Sequence, residues 1–363
     1  MQPTPRGPVD WRAAARLAGR LAAPGPVADR ATLVELVADL RTAATAAAGH
    51  VVEATGLTPA DGRDPAAISR VVVVDRPRWA AANAEMFAVM AAPLATRRDG
   101  TPVEVPDAAR LAAAAQVGGV LALLSGKVIG QYDPFTSAPG EPGRLLLVAP
   151  NVLATQRQLK VDGRDFRLWV ALHEQTHALQ FAAAPWLADH LRARSAELMG
   201  DLADLAPGGG HDERSALPRL DDVLGALVRA VTDGDGGVLS LLTPRQRKVF
   251  DEVGAVMSLL EGHADVMMDE VGPAVVPSVR AIRRAFERRR DESAKATGLD
   301  RLVRRLLGMD LKLAQYRDGA AFVRAVRERV GLDGLNAVWS GPQTLPSAAE
   351  ISDPAAWVRR VHG

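Results

Sequence analysis

Apolar residues recur at three- and four-residue intervals over 10–21, 29–48, 76–92 and 108–124. Turns rich in proline and glycine, such as "APGP" and "TPADGRDP", separate these runs. The spacing lines the apolar side chains along one face of each helix, so this stretch predicts four amphipathic helices. Between 127 and 150 the pattern changes to two short apolar runs, "KVIGQYDPF" and "RLLLVAP", around the turn "APGEPG". Such a pair suggests strands, in the manner of a hairpin. Two readings of Leu145–Val148 stand side by side: an edge strand that pairs with an extended peptide, and a strand buried for the sake of the fold.

Helical spacing resumes over 165–183, where Pro185 ends it, and again over 186–199. Residues 206–220 and 232–237 are loops by composition, which leaves 206–237 open to being a mobile insertion. Further helices are expected over 243–271, 277–294, 301–316 and 320–330, with a short one after Pro354. The arginines of "RRAFERRR" read as a solvated helix face. The fold class expected is mainly α with a small β-sheet, in one body of 363 residues.

Charge and composition narrow the chemistry. A formal net charge of +1 gives no bulk attraction to nucleic acid or to an anionic membrane, and neither is expected as a partner. The apolar stretch 111–126 is interrupted by Gln116 and several glycines, and reads as a buried helix or helix pair. Arginines interrupt the N-terminal segment too often for a signal peptide, so a soluble, cytoplasmic protein is expected. The chain has no cysteine, so any metal must be held by His, Asp or Glu.

One run then stands out. In "LWVALHEQTHALQF" (168–181), two histidines and a glutamate interrupt an otherwise apolar helix. His173 and His177 are four apart and share a face, so both imidazoles can reach one ion. Glu174 sits about 100° around the helix, where it can border the ion as a general base for water without being a ligand. A third ligand is needed. The extension HExxHxxGxxH is excluded, because positions 180 and 183 are Gln180 and Ala183.

The strongest source of that ligand is "VMSLLEGHADVMMD" (256–269), where a second apolar helix carries Glu261, His263 and Asp265. Glu261 and Asp265 share a face, so Glu261 can ligate while Asp265 accepts from the free nitrogen of a zinc histidine. His263 lies about 200° from Glu261. It stands as a substrate-side or supporting residue, a plain buried histidine, or the alternative third ligand. Gly262 suits a close approach of another backbone, expected to be that of the active-site helix.

With these residues in view, the chain resembles the gluzincin branch of zinc metallopeptidases, and more specifically the Zincin_2 family, whose members are often labelled as associated with coenzyme F420 biosynthesis. The likeness runs from "DWRAAARLAGRLAAPGP" through "VVVVDRPRWAAANAEMF", "LLLVAPNVLATQRQL" and "LLEGHADVMMD" to "LLGMDLKLAQYRDGAAFVRAV" and "LPSAAEISDPAAWVRRV". It implies a single zincin-like domain over 1–363. In that domain a helical segment (about 1–125) precedes a catalytic segment (about 126–330) and a tail (about 331–363). It also implies one Zn2+ on His173, His177 and Glu261, with Glu174 as base. No glycine-rich GxGxxG fingerprint follows a strand, so deazaflavin binding is not expected.

The activity expected is zinc-dependent hydrolysis of a peptide or small amide. Tyr316, in "KLAQYRDG", is the candidate donor to the developing oxyanion, set against an ordinary helix-surface residue. Trp169 and Phe181 read as core. The alternative function is a non-catalytic zinc-binding scaffold, or a partner-binding protein linked to coenzyme F420 metabolism. Glu174 speaks for the enzyme, since a structural zinc needs no carboxylate beside its two histidines.

Overall fold

Leu145, Leu146, Leu147 and Val148 are all at most 2% exposed, which a strand allows only when both of its faces are covered. In the computed structural model they form the central strand of a three-stranded sheet. The structure describes residues 7–96, 100–138, 140–204, 243–294 and 309–363, with the backbone alone over 199–204, 290–294 and 309–316. The sheet consists of β1 (Ser69–Val74), β2 (Gly130–Asp133) and β3 (Gly143–Val148), in the order β1-β3-β2. β1 pairs parallel with β3, and β2 pairs antiparallel with it as the expected hairpin. Of the two readings of 145–148, the buried strand holds, and the edge beside the functional helix belongs to β2.

The helices are α1 (Trp11–Leu21), α2 (Arg30–Thr55), α3 (Arg76–Met90), α4 (Asp107–Ser125), α5 (Ala149–Leu159), α6 (Gly163–Ala183) and α7 (Trp186–Asp204). After these come α8 (Pro244–Val275), α9 (Val279–Ala294), α10 (Met309–Asn336), α11 (Ala348–Ser352) and α12 (Pro354–His362). Alternation along β3 divides the core in two. Leu146 and Val148 pack with Val74, Trp79, Ala80, Leu121 and Ala18 on the side of α1, α3 and α4. Leu145 and Leu147 face the larger core, built from α2, α6, α8, α9, α10 and the C-terminal helices.

Some boundaries differ from expectation. β1, the run "SRVVVV", and α5 were not foreseen. α2 runs to Thr55, beyond the expected end at 48. The helices expected over 301–316 and 320–330 merge, over their described residues, into a single helix, α10, which passes straight through Gly319 and breaks only at Gly331 (φ 75°). The expected loops at 206–220 and 232–237 lie outside the described residues. α4 buries one face through Ala113, Ala114, Leu121 and Ala122, while Leu111, Val120 and Leu123 stay exposed. It is thus half-buried, where a buried helix was expected. Among the described residues it is the one helix long and apolar enough to cross a membrane.

Three features hold α6 in place. The Asp162 side chain caps its first turn by accepting from Asp165 N at 3.0 Å. Gln175, 1% exposed, donates to Ala44 O of α2 at 2.8 Å and accepts from Ser69 Oγ of β1 at 3.0 Å. Arg167 makes an ion pair with Asp39 of α2. Gln175 lies two residues from both His173 and His177, so the histidines project to the other side, toward α8. That second helix opens with a capping box between Thr243 and Gln246.

Candidate metal centre

α6 and α8 run antiparallel past each other. Gln180 meets Leu260, His177 and His173 meet Glu261, and His173 meets Met268. The three donor atoms converge: His177 Nε2 lies 3.1 Å from His173 Nε2, and Glu261 Oε2 lies 3.4 Å from His173 Nε2 and 3.5 Å from His177 Nε2. A tetrahedral shell with metal–ligand distances of about 2.0–2.1 Å has edges of about 3.3 Å. The triangle therefore has the size and the N2O donor chemistry that zinc takes. Glu261 is nearly enclosed, whereas the side chains of His173 and His177 keep 20% and 14% exposure, so the centre opens on the histidine side.

The charge of the site suits a dication. Burial pushes the Glu261 carboxyl up, yet the hydrogen bonds from His173 and His177 outweigh it and hold the carboxylate well below its ordinary range. Burial pulls His177 down, and the Glu261 and Glu174 carboxylates more than reverse that, leaving it raised. A proton and a metal ion thus compete for the same pocket.

The tautomer of His177 follows from its neighbours. Gln180 is fully buried and its Nε2 donates to Leu260 O at 3.0 Å, which fixes which end of the amide is nitrogen. The same Nε2 lies 3.0 Å from His263 Nδ1, which must therefore accept. Gln180 Oε1 then faces His177 Nδ1 at 2.9 Å, so that nitrogen keeps a proton, and Nε2 is the atom left to give up its own to an ion at the centre. His263 is 0% exposed and stands edge-on to Trp339 at 5.2 Å between ring centroids. Burial drives its pKa down to about 3, in keeping with a neutral ring that accepts through Nδ1. It supports Gln180 and does not join the triangle.

Two expectations need correction. Asp265 does not hold a zinc histidine. Its carboxylate takes Arg283 of α9, while the two Nδ1 atoms go to Gln180 and to Met268 Sδ, the latter at 3.2 Å. The backbone that approaches Gly262 is that of Gly319 in α10, not that of α6: a Cβ at 262 would lie 2.1 Å from Gly319 C. Gln180 was not foreseen as a member of the site. The available signal was a polar amide three residues past the second histidine, and so on the same helix face. Replacing Gln180 with Leu should weaken zinc binding by about 10–100-fold with the fold retained, measured by chelator competition. An unchanged affinity would show that the amide does not orient His177.

Glu174 turns toward the sheet. A Cβ on Gly130 of β2 would fall 2.5 Å from Glu174 Oε1, so the missing side chain at 130 makes the space the carboxylate occupies. Tyr132 of the same strand packs on Phe181 of α6, with ring centroids 5.6 Å apart, which fixes the distance between strand and helix. Trp169 packs on Phe166 and Phe286, and with Phe181 it belongs to the core as expected. The side chain of Tyr316 lies outside the described residues.

The comparisons with known proteins bear on the chain as a whole. The Zincin_2 model, described as a zincin-like metallopeptidase, matches residues 9–358. The chain belongs to this family. A solved structure from Chloroflexus aurantiacus, provisionally described as a hydrolase and said to have a novel fold, is 32% identical. The match covers 97% of this chain and 98% of that one, with a TM-score of 0.65. Among curated proteins no match was found. Within this family fold, the chain carries a His173, His177 and Glu261 cluster able to bind a metal ion.

Proposed function

We propose that this zincin-like protein is a zinc-dependent hydrolase of peptide or small amide bonds. One observation carries the reading: outside a donor triangle of tetrahedral size stands the Glu174 carboxylate, near enough for its charge to act on His177. His173, His177 and Glu261 would hold one Zn2+, with Gln180 keeping His177 in the ligating tautomer. Bound there, zinc activates water and polarises the scissile carbonyl.

The chain's own residues do the rest. Glu174 takes a proton from the attacking water as the new C–O bond forms, and delivers it to the nitrogen as the C–N bond breaks. The products are a carboxylate and an amine. Tyr316 is proposed to donate to the developing oxyanion. β2, bordering Glu174 at the sheet edge, pairs only with β3 among the described residues, which leaves its outer backbone groups to an extended substrate.

The test is a screen of peptides and small amides read by mass spectrometry. Zinc-replete protein should yield cleavage products that disappear with a zinc chelator and return when zinc is restored. Absence of any product across both classes with zinc-replete protein would overturn the reading.

A further inference from the structure

Arg283, in α9, belongs to neither ligand helix, yet it touches both. Its guanidinium lies over the ring of Trp169, 5.6 Å from the centroid. Trp169 is one turn before His173 on α6. The same guanidinium donates to the Asp265 carboxylate, to Asp265 O at 2.7 Å and to Asp269 Oδ1 at 2.8 Å. Asp265 is one turn after Glu261 on α8. Phe286, one turn along α9, packs against Trp169 at a tilt, 4.8 Å between centroids.

At the opposite end of the site, Gln180 of α6 donates to Leu260 O of α8. The donor triangle therefore sits between two ties that join the same pair of helices. Gln180 closes one end directly, and Arg283 closes the other through an aromatic face and a carboxylate. Planarity suits an arginine to both tasks, since the fork can bond carboxylate and carbonyl while its face lies on the indole.

We propose that Arg283 is a positioning residue that sets the spacing of α6 and α8, and so the fit of His173, His177 and Glu261 to one ion. This rests on the metal-site reading above. It goes beyond that reading by placing a determinant of the site on a third helix, outside the ligand set.

The experiment compares full-length wild type, Arg283→Leu, Arg283→Lys and Arg360→Leu. Arg360 makes an ion pair with Glu350 in the C-terminal tail and serves as the control for general loss of stability. Zinc affinity is measured by chelator competition, each protein held well below its own Tm. Arg283→Leu should weaken zinc by about tenfold or more. Arg283→Lys, which can reach one carboxylate but loses the fork and the stacking, should fall between it and wild type. Arg360→Leu should stay within twofold of wild type even where its Tm drops.

A second readout needs no metal. In the zinc-free protein, the imidazole nitrogen resonances of His173 and His177 should shift on Arg283→Leu or Arg283→Lys and stay in place on Arg360→Leu. Should Arg283→Leu fail to fold, the lysine variant carries both measurements. Wild-type zinc affinity together with unmoved resonances in the Arg283 variants would overturn the proposal. A wild type that binds no zinc would instead overturn the metal reading, and the imidazole resonances would still decide whether Arg283 positions the pair.

Discussion

Glu174→Gln should leave zinc in place and lower kcat/KM for amide hydrolysis by roughly 10³-fold, within the range that a positioned base contributes. The carboxylate acts on His177 through its charge but is not one of the three donor atoms, so removing its basicity should spare metal content. Glutamine also keeps the shape that fills the space next to Gly130, where a Cβ would come within 2.5 Å of Glu174 Oε1. The loss should therefore fall mainly on kcat. Paired measurements of zinc content and steady-state kinetics check this. A variant within tenfold of wild type would remove Glu174 from the chemistry, and a variant without zinc would make it a ligand.

The largest effect on stability is expected at the crossing of α8 and α10. A Cβ on Gly319 would lie 1.8 Å from Ser258 O, and one on Gly262 would lie 2.1 Å from Gly319 C, both against backbone that cannot rotate away. Taken alone, Gly→Ala inside a helix is favourable by about 1 kcal/mol. Overpacking at a fixed backbone contact costs about 3 kcal/mol. Gly319→Ala should therefore destabilise the protein by about 2 kcal/mol net. Because Glu261 adjoins Gly262, it should also weaken zinc binding. Denaturant unfolding measures the first and chelator competition the second. Equal or higher stability for the alanine variant would mean that the helices do not cross this closely.

The same glycines show where the sequence can be read and where it cannot. "HEQTH" and "LLEGHADVMMD" are legible because metal chemistry needs few residue types at helical spacing, and the helices that carry them are long and periodic. Gly262 signalled a close backbone, but its partner Gly319 sits 57 positions away in a segment that reads as a helix end. Nothing local distinguishes a glycine that stops a helix from one that lets another helix touch it.

Asp265 illustrates a different limit. Its spacing from Glu261 places it on the right face, but whether it bonds a histidine or an arginine depends on α9, which only the tertiary structure brings in. β1 escaped notice because four consecutive valines have no period: Val71 and Val73 pack against one core, Val72 and Val74 against the other. Gln180 was legible as the residue that excludes one ligand pattern, while its role as the partner of His177 needed His263 and Leu260 in place.

The most direct test of the account is zinc per chain, by elemental analysis, for wild type, Glu261→Ala and His263→Ala after reconstitution and removal of loose metal. Close to one zinc is expected in wild type, close to none in Glu261→Ala, and near-stoichiometric zinc in His263→Ala at saturating metal, since His263 acts only through Gln180. Full zinc in Glu261→Ala, or none in reconstituted wild type, would contradict it.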